Sequence, residues 1–199
     1  MKKIALFSLI LISICSLEAQ NISQRARSMR MESYAKDEYQ VKDIKIFDDT
    51  MFVICRSEYV HYPLGKYNSV DAYINRSNLD WYRQMNYRKF FSDSLSVPVT
   101  HINRLDGSYV DTYSSMNTGK MEIIAGHITD SSIKLRLKVC VGMKKSEVFA
   151  AFFRAFPKTY IADINVLRIV SAGGEFAQVF TFKRNKLQYI DFLTNYRYY

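Results

Sequence analysis

The stretch VPVTHINRLDGSYVDTYSSMNTGKMEIIAGHI, residues 97–128, decides the fold class. Apolar and polar side chains alternate along it with period two. Asp106-Gly107 and Asn117-Thr118-Gly119 break the alternation as turns. Period-two alternation with short polar punctuation is the mark of antiparallel strands. It predicts strands over Val97–Asn103, Ser108–Ser114 and Lys120–Ile128. The same pattern resumes after the turn at 129–132 and predicts a fourth strand over Ile133–Val141.

Downstream, Lys144–Phe156 concentrates Val148, Phe149, Phe152, Phe153 and Phe156, the content of a helix lying on a sheet. Pro157 ends that helix. Ile164–Ser171, Phe176–Phe182 and Leu187–Leu193 predict three more strands. Upstream, Val41–Phe47 and Met51–His61 read as two strands joined at Asp48-Asp49-Thr50. Ser69–Asn75 has helical character. Asn78 is placed to cap a second helix, with Leu79, Tyr82, Met85 and Phe90 at helical spacing. The expected class is α+β: an antiparallel sheet with helices packed on one face.

An internal repeat is suggested by Gly65 and Gly142, 77 positions apart, each coming after an expected strand and opening a helix. The order of elements predicts two tandem helix-plus-meander units, residues 41–132 and 133–199. Residues 20–40 precede them as a flexible or weakly helical arm.

The first 19 residues have the three parts of a secretion signal. Lys2 and Lys3 form a positive start, Ile4 to Ile14 an apolar run, and Ala19 a small residue suited to cleavage. The apolar run is too short to span a bilayer about 30 Å thick. Lipidation at Cys15 is disfavoured by Ile14, which stands where a small residue is usual. Export to the periplasm or the outer-membrane or cell surface of a Gram-negative bacterium is the expectation.

Of 199 residues, 48% are hydrophobic and 24% charged, which suits a globular domain and argues against disorder. Cleavage would remove Lys2, Lys3 and Glu18 from totals of 28 basic and 19 acidic residues, leaving 26 and 18, a net +8. That excess favours an anionic partner: a lipid surface, a glycan or an acidic protein face. Export argues against nucleic acid. Cys55 and Cys140 then remain as the two cysteines, free to pair in an oxidising compartment or to stay as separate thiols.

The segment Val141-Gly142-Met143-Lys144-Lys145-Ser146-Glu147-Val148 resembles the helix opening of the SmpA/OmlA envelope-protein family. Pro157 and the run Phe180-Thr181-Phe182-Lys183-Arg184-Asn185-Lys186-Leu187 are similar to the proline and the paired strands downstream of the helix in that family. The likeness covers roughly residues 135–194. It departs from the family at Lys144, where a capping Ser or Thr is usual. The resemblance implies a two-layer fold shared with the β-lactamase inhibitory proteins, in which the unit is duplicated. It also implies protein binding, in assembly or in inhibition, without catalytic residues.

No residue set of an enzyme stands out. His61, His101 and His127 are isolated in sequence, so neither a zinc site nor any other cofactor is signalled. Neither Cys55 nor Cys140 has a CxxC partner. The expected role is a non-catalytic protein-binding envelope protein. A binder of anionic glycan or lipid headgroups and an unrecognised hydrolase are the alternatives. Tyr59, Tyr62, Tyr67, Tyr73 and Trp81 are the expected binding surface, because exposed aromatic residues give contact area at low entropic cost.

Overall fold

The computed structural model describes residues 35–89, 96–116 and 118–195. The expected signal, most of the arm and the Tyr-rich tail from Tyr196 lie outside them. Nine strands build one sheet: β1 Val41–Phe47, β2 Thr50–Cys55, β3 Tyr82–Lys89, β4 Ser96–Asn103, β5 Tyr109–Ser114, β6 Met121–Ile128, β7 Val166–Ser171, β8 Phe176–Lys183 and β9 Lys186–Thr194. The described helices are short: α1 Val70–Ser77, α2 Lys145–Phe152 and α3 Lys158–Asp163. The described residues are therefore mostly β.

The strands lie in the order β1-β2-β7-β8-β9-β6-β5-β4-β3. All neighbours are antiparallel except β2 and β7, which run parallel from Thr50↔Val166 to Cys55↔Ser171. The sheet is mixed, which corrects the expectation of antiparallel pairing throughout. Two meanders, β3 to β6 and β7 to β9, meet through their last strands. That seam has three residue pairs, Gly126↔Phe192, His127↔Asp191 and Ile128↔Ile190. Each meander comes after a helix. A division at residue 132 fails for the sheet, however, because β1 and β2 attach to β7 rather than to the meander next in the chain.

The two repeat glycines do occupy turns that need them. Gly65 has φ +108° and Gly142 φ +89°, a region that costs other residues strain. At the seam, Gly126 is needed for a different reason. A Cβ there would lie 2.8 Å from Cδ2 of the Phe192 ring and 3.1 Å from the Tyr109 carbonyl oxygen.

Four segments depart from expectation. The strand expected over Met51–His61 ends at Cys55, and turns follow in which Val60 N–H donates to Ser57 O and Tyr62 N–H to Glu58 O. The helix expected after Asn78 is strand β3, and Asn78 instead closes α1 in the left-handed conformation, φ 52°. The expected strand 133–141 is an irregular turn: Leu135 N–H donates to Val139 O, and Lys138 has φ 62°. Its alternation is still used, since Ile133, Leu135 and Val139 are buried. Helix α2 stops at Phe152, where Phe153 turns extended and bridges to Ala35. Pro157 then opens α3 as its N-cap instead of simply ending a longer helix.

One core joins these elements. Met51, Val53, Leu167, Ile169, Phe180 and Phe192 of the sheet pack with Val148, Phe149 and Phe152 of α2 and with Val70 and Tyr73 of α1. Phe152 meets Phe180 edge-on at 5.4 Å between ring centroids. Glu147 accepts from Lys144 N–H at 2.9 Å, which secures the start of α2 although Lys144 cannot cap it with an oxygen. The described end of the arm packs as well. Lys36 N–H donates to Phe152 O, and the Tyr39 ring is buried against Tyr59 and Phe152.

Candidate functional site

The aromatic residues expected to form a binding surface are largely core. Tyr59 and Tyr73 are each 4% exposed. Tyr67, Tyr73 and Trp81 pack in series at 5.3 and 5.8 Å, while Tyr62 is half-buried beside Lys66. Tyr59 is wedged between Tyr39 and Phe152, and burial holds its phenol well above the usual range. These rings supply apolar area that the thin helical layer does not, so they face inward. Cys55 and Cys140 both carry free thiols. Cys55 ends β2 inside the core, where burial pushes its pKa up to about 12, so the inert thiol form persists.

The chemistry lies instead on the sheet face opposite the core, where strand register assembles it. His101 on β4 stands opposite Asp111 on β5, and His127 on β6 stands opposite Asp191 on β9. In each pair Nδ1 lies 2.7 Å from a carboxylate oxygen. A carboxylate oxygen accepts, so each pair is satisfied by an N–H on Nδ1, which leaves Nε2 facing away from the carboxylate. Asp111 is held tightest, with 10% of its side chain exposed against 30% for His101, and the His127–Asp191 pair is more open at 33% and 28%.

Two tyrosines complete the row. Tyr109, opposite His127, lies between the two imidazoles, 5.5 Å from His101 and 6.4 Å from His127. Tyr189 lies 5.2 Å beyond His127. The four rings come from β4, β5, β6 and β9 and cross the seam between the meanders. Interplanar angles of 28°, 32° and 42° turn ring faces toward one another. Side chains stand roughly perpendicular to a sheet, so the rings stand up from it side by side. Leu193, 44% exposed, adds an apolar point on the same face. Further along, Arg168 lies over the Phe52 ring at 5.5 Å, and its Nε is buried without a partner.

A His–Asp pair can serve as a base when a nucleophile is in reach. Among the described residues, no serine, threonine or cysteine is hydrogen-bonded to either imidazole. No three His, Cys, Asp or Glu side chains among them converge as a metal site. All four rings of the row are half-buried. The arrangement offers a preset row of hydrogen-bonding groups on a stiff support. The sequence already marked His101 and His127 as strand residues. Their carboxylate partners lie 10 and 64 positions away, so only the register reveals the pairs.

No protein-family model, curated protein or solved structure matches the chain. No described helix is long and apolar enough to cross a membrane.

Proposed function

We propose that this chain is an exported, non-catalytic protein-binding protein of the cell envelope, which docks a partner on the open face of its sheet. In this reading the helices cover one face of an α+β layer pair, and the other face is left for recognition. The observation that carries it is the His101–Tyr109–His127–Tyr189 row, braced by Asp111 and Asp191. Rotamers fixed by carboxylates and by mutual stacking lose little freedom on binding, which favours affinity at a flat surface. The resemblance of residues 141–148 and 180–187 to the SmpA/OmlA family supports the same role, as does its duplicated relative among inhibitory proteins.

The test is cross-linking of the tagged chain in an envelope extract of its own organism at low and moderate salt. One specific protein retained at both salts, and lost with Tyr109→Ala plus His127→Ala, supports the proposal. Retention unaffected by that double variant removes the open face from the function. Loss of every partner at moderate salt would favour the second reading, charge-driven association with anionic glycan or lipid through the net +8.

A further inference from the structure

Four cations crowd the end of the sheet where the β8–β9 hairpin turns beside the start of α2. Lys183 stands opposite Lys186 across the hairpin, and Lys186 stands opposite Lys144 on its other side. The second pairing is held by Lys145 N–H, which donates to Asn185 O at 2.8 Å, and Leu187 N–H, which donates to Met143 O at 2.9 Å. Residues directly opposite across paired backbones lie about 4.5–5.5 Å apart at Cα and share a face. The backbone thus sets three lysines in one row about 10 Å long, two strand spacings. Arg184 stands beside it in the turn. All four residues are exposed, and among the described residues none of them is in an ion pair.

Such a row works against the fold. Like charges directly opposite destabilise a sheet. The turn adds a second cost: Arg184 and Asn185 have φ 51° and 61°, a left-handed pair that hairpins ordinarily fill with Asn-Gly. Local relief is scarce. Across residues 141–148 and 181–190 the one acidic residue is Glu147, and its carboxylate accepts the Lys144 N–H at 2.9 Å. Lys145 is committed elsewhere: it is buried, and its Nζ donates to Ala162 O at 3.1 Å. No exposed residue among 142–147 and 183–188 carries an apolar side chain, so nothing there is suited to enter a lipid surface. The row meets charge alone. Lysine takes phosphate as a point charge, and a phosphate monoester brings up to about two negative charges and three acceptor oxygens. Two phosphate groups thus balance three lysines and one arginine.

We infer that the Lys183–Lys186–Lys144 row, with Arg184, binds a soluble oligophosphate, a ligand with two or more phosphate groups within about 10 Å of one another. The ligand neutralises a repulsion that the strand register builds in. The residues are not those of the His–Tyr row, and the inference stands or falls separately from partner docking there.

The probe is inorganic triphosphate, titrated calorimetrically into the full chain. It should bind at least about tenfold more tightly than inorganic phosphate or citrate at equal ionic strength. Backbone amide shifts on binding should concentrate at residues 144–146 and 183–187. Lys186→Glu sets a carboxylate opposite both Lys183 and Lys144. It should raise the thermal midpoint of the unliganded chain and weaken triphosphate binding at least about tenfold, so that lost binding is separated from lost fold. Lys186→Arg should keep the binding. Triphosphate should raise the midpoint of the unaltered chain but not that of Lys186→Glu. Equal affinity for citrate would reduce the row to unspecific charge and overturn the inference. So would unchanged binding in Lys186→Glu, a lower unliganded midpoint for that variant, or amide shifts concentrated elsewhere. Displacement of triphosphate by phosphatidylglycerol vesicles at equal phosphate concentration would also overturn it, in favour of a membrane surface.

Discussion

Among the described residues, the two ends of the sheet meet the same problem, a strand paired on one side alone, and treat it differently. At one end, β1 breaks its own register between Val41 and Asp43 and mixes charge signs, with Lys45 paired to Asp43 at 3.2 Å. It also commits Ile44 to the core, 2% exposed. At the other end, β3 keeps a straight eight-pair register, exposes both faces from Tyr82 to Tyr87 and pairs Arg83 with Asp71 of α1. One edge is closed by irregularity and the other is kept regular. Regularity at an edge is a hazard for a protein that needs to stay single.

The comparison can be broken most strongly at the core. Ile44→Ala should destabilise the protein by about 2–4 kcal/mol, as core truncations do, whereas Met85→Ala should change it by less than about 0.5 kcal/mol. Urea denaturation of the pair measures this, and a loss at Met85 equal to that at Ile44 would mean that β3 is not an open edge. Next in size is the seam that holds the two edges in one sheet. Gly126→Ala forces the Phe192 ring to move and should cost about 1–3 kcal/mol, seen as a lower thermal midpoint. If the midpoint is unchanged, the three-pair seam is not under the packing constraint its geometry implies.

A smaller effect sharpens the comparison through pH. Arg104 donates to Asp130 at 2.8 Å and to the Asp80 carbonyl at 3.1 Å, and stacks over Trp81, so it anchors the start of β3. Burial alone would raise the Asp130 carboxyl. Hydrogen bonds from Ser132 and the charge of Arg104 outweigh it and hold the carboxyl below the usual carboxylate range. A depressed folded value means that the stabilisation is present above the unfolded carboxylate value and is lost as pH falls through the folded one. The protection factors of Tyr82–Tyr87, exchange taken relative to the intrinsic rate at each pH, should therefore fall on acidification while those of β1 change less. Asp130→Asn should give the lowered protection already at neutral pH, at a cost of about 1 kcal/mol. Smallest of all, Asp43→Asn should shift stability by less than about 0.5 kcal/mol, because the Lys45 side chain of that pair is 54% exposed.

Strands β4, β5, β6, β8 and β9 were legible because each alternates and is bounded by turn residues. The segment 133–141 alternates equally well, yet it bends, and Arg136 N–H donates instead to Pro63 O. Alternation reports which side chains are buried, and it did so for Ile133, Leu135 and Val139 while the backbone went elsewhere. β3 was illegible for the opposite reason. Both its faces are wet, so no period marks it as a strand, and the chance spacing of Leu79, Tyr82, Met85 and Phe90 imitates a helix. Only its pairing with β4 decides the matter. The tyrosines around Gly65 misled because tyrosine serves both interiors and interfaces, and nothing local separates Tyr59 in the core from Tyr87 outside it. The His–Asp pairs depend on register, including the irregularity between Asp111 and Thr112, which no local pattern encodes.

The parallel pairing of β2 with β7 has a consequence for how the chain is made. Thr50 meets Val166, 116 residues later, so β2 has no partner on that side until most of the protein exists. At synthesis rates of about 5–20 residues per second, that wait is on the order of ten seconds. During it the β1–β2 hairpin displays Met51, Val53 and Cys55, all fully interior in the finished molecule. Closing so long a loop is also entropically costly, which makes this contact a late and slow step. The most vulnerable moment of this protein's life therefore falls before its second meander is born.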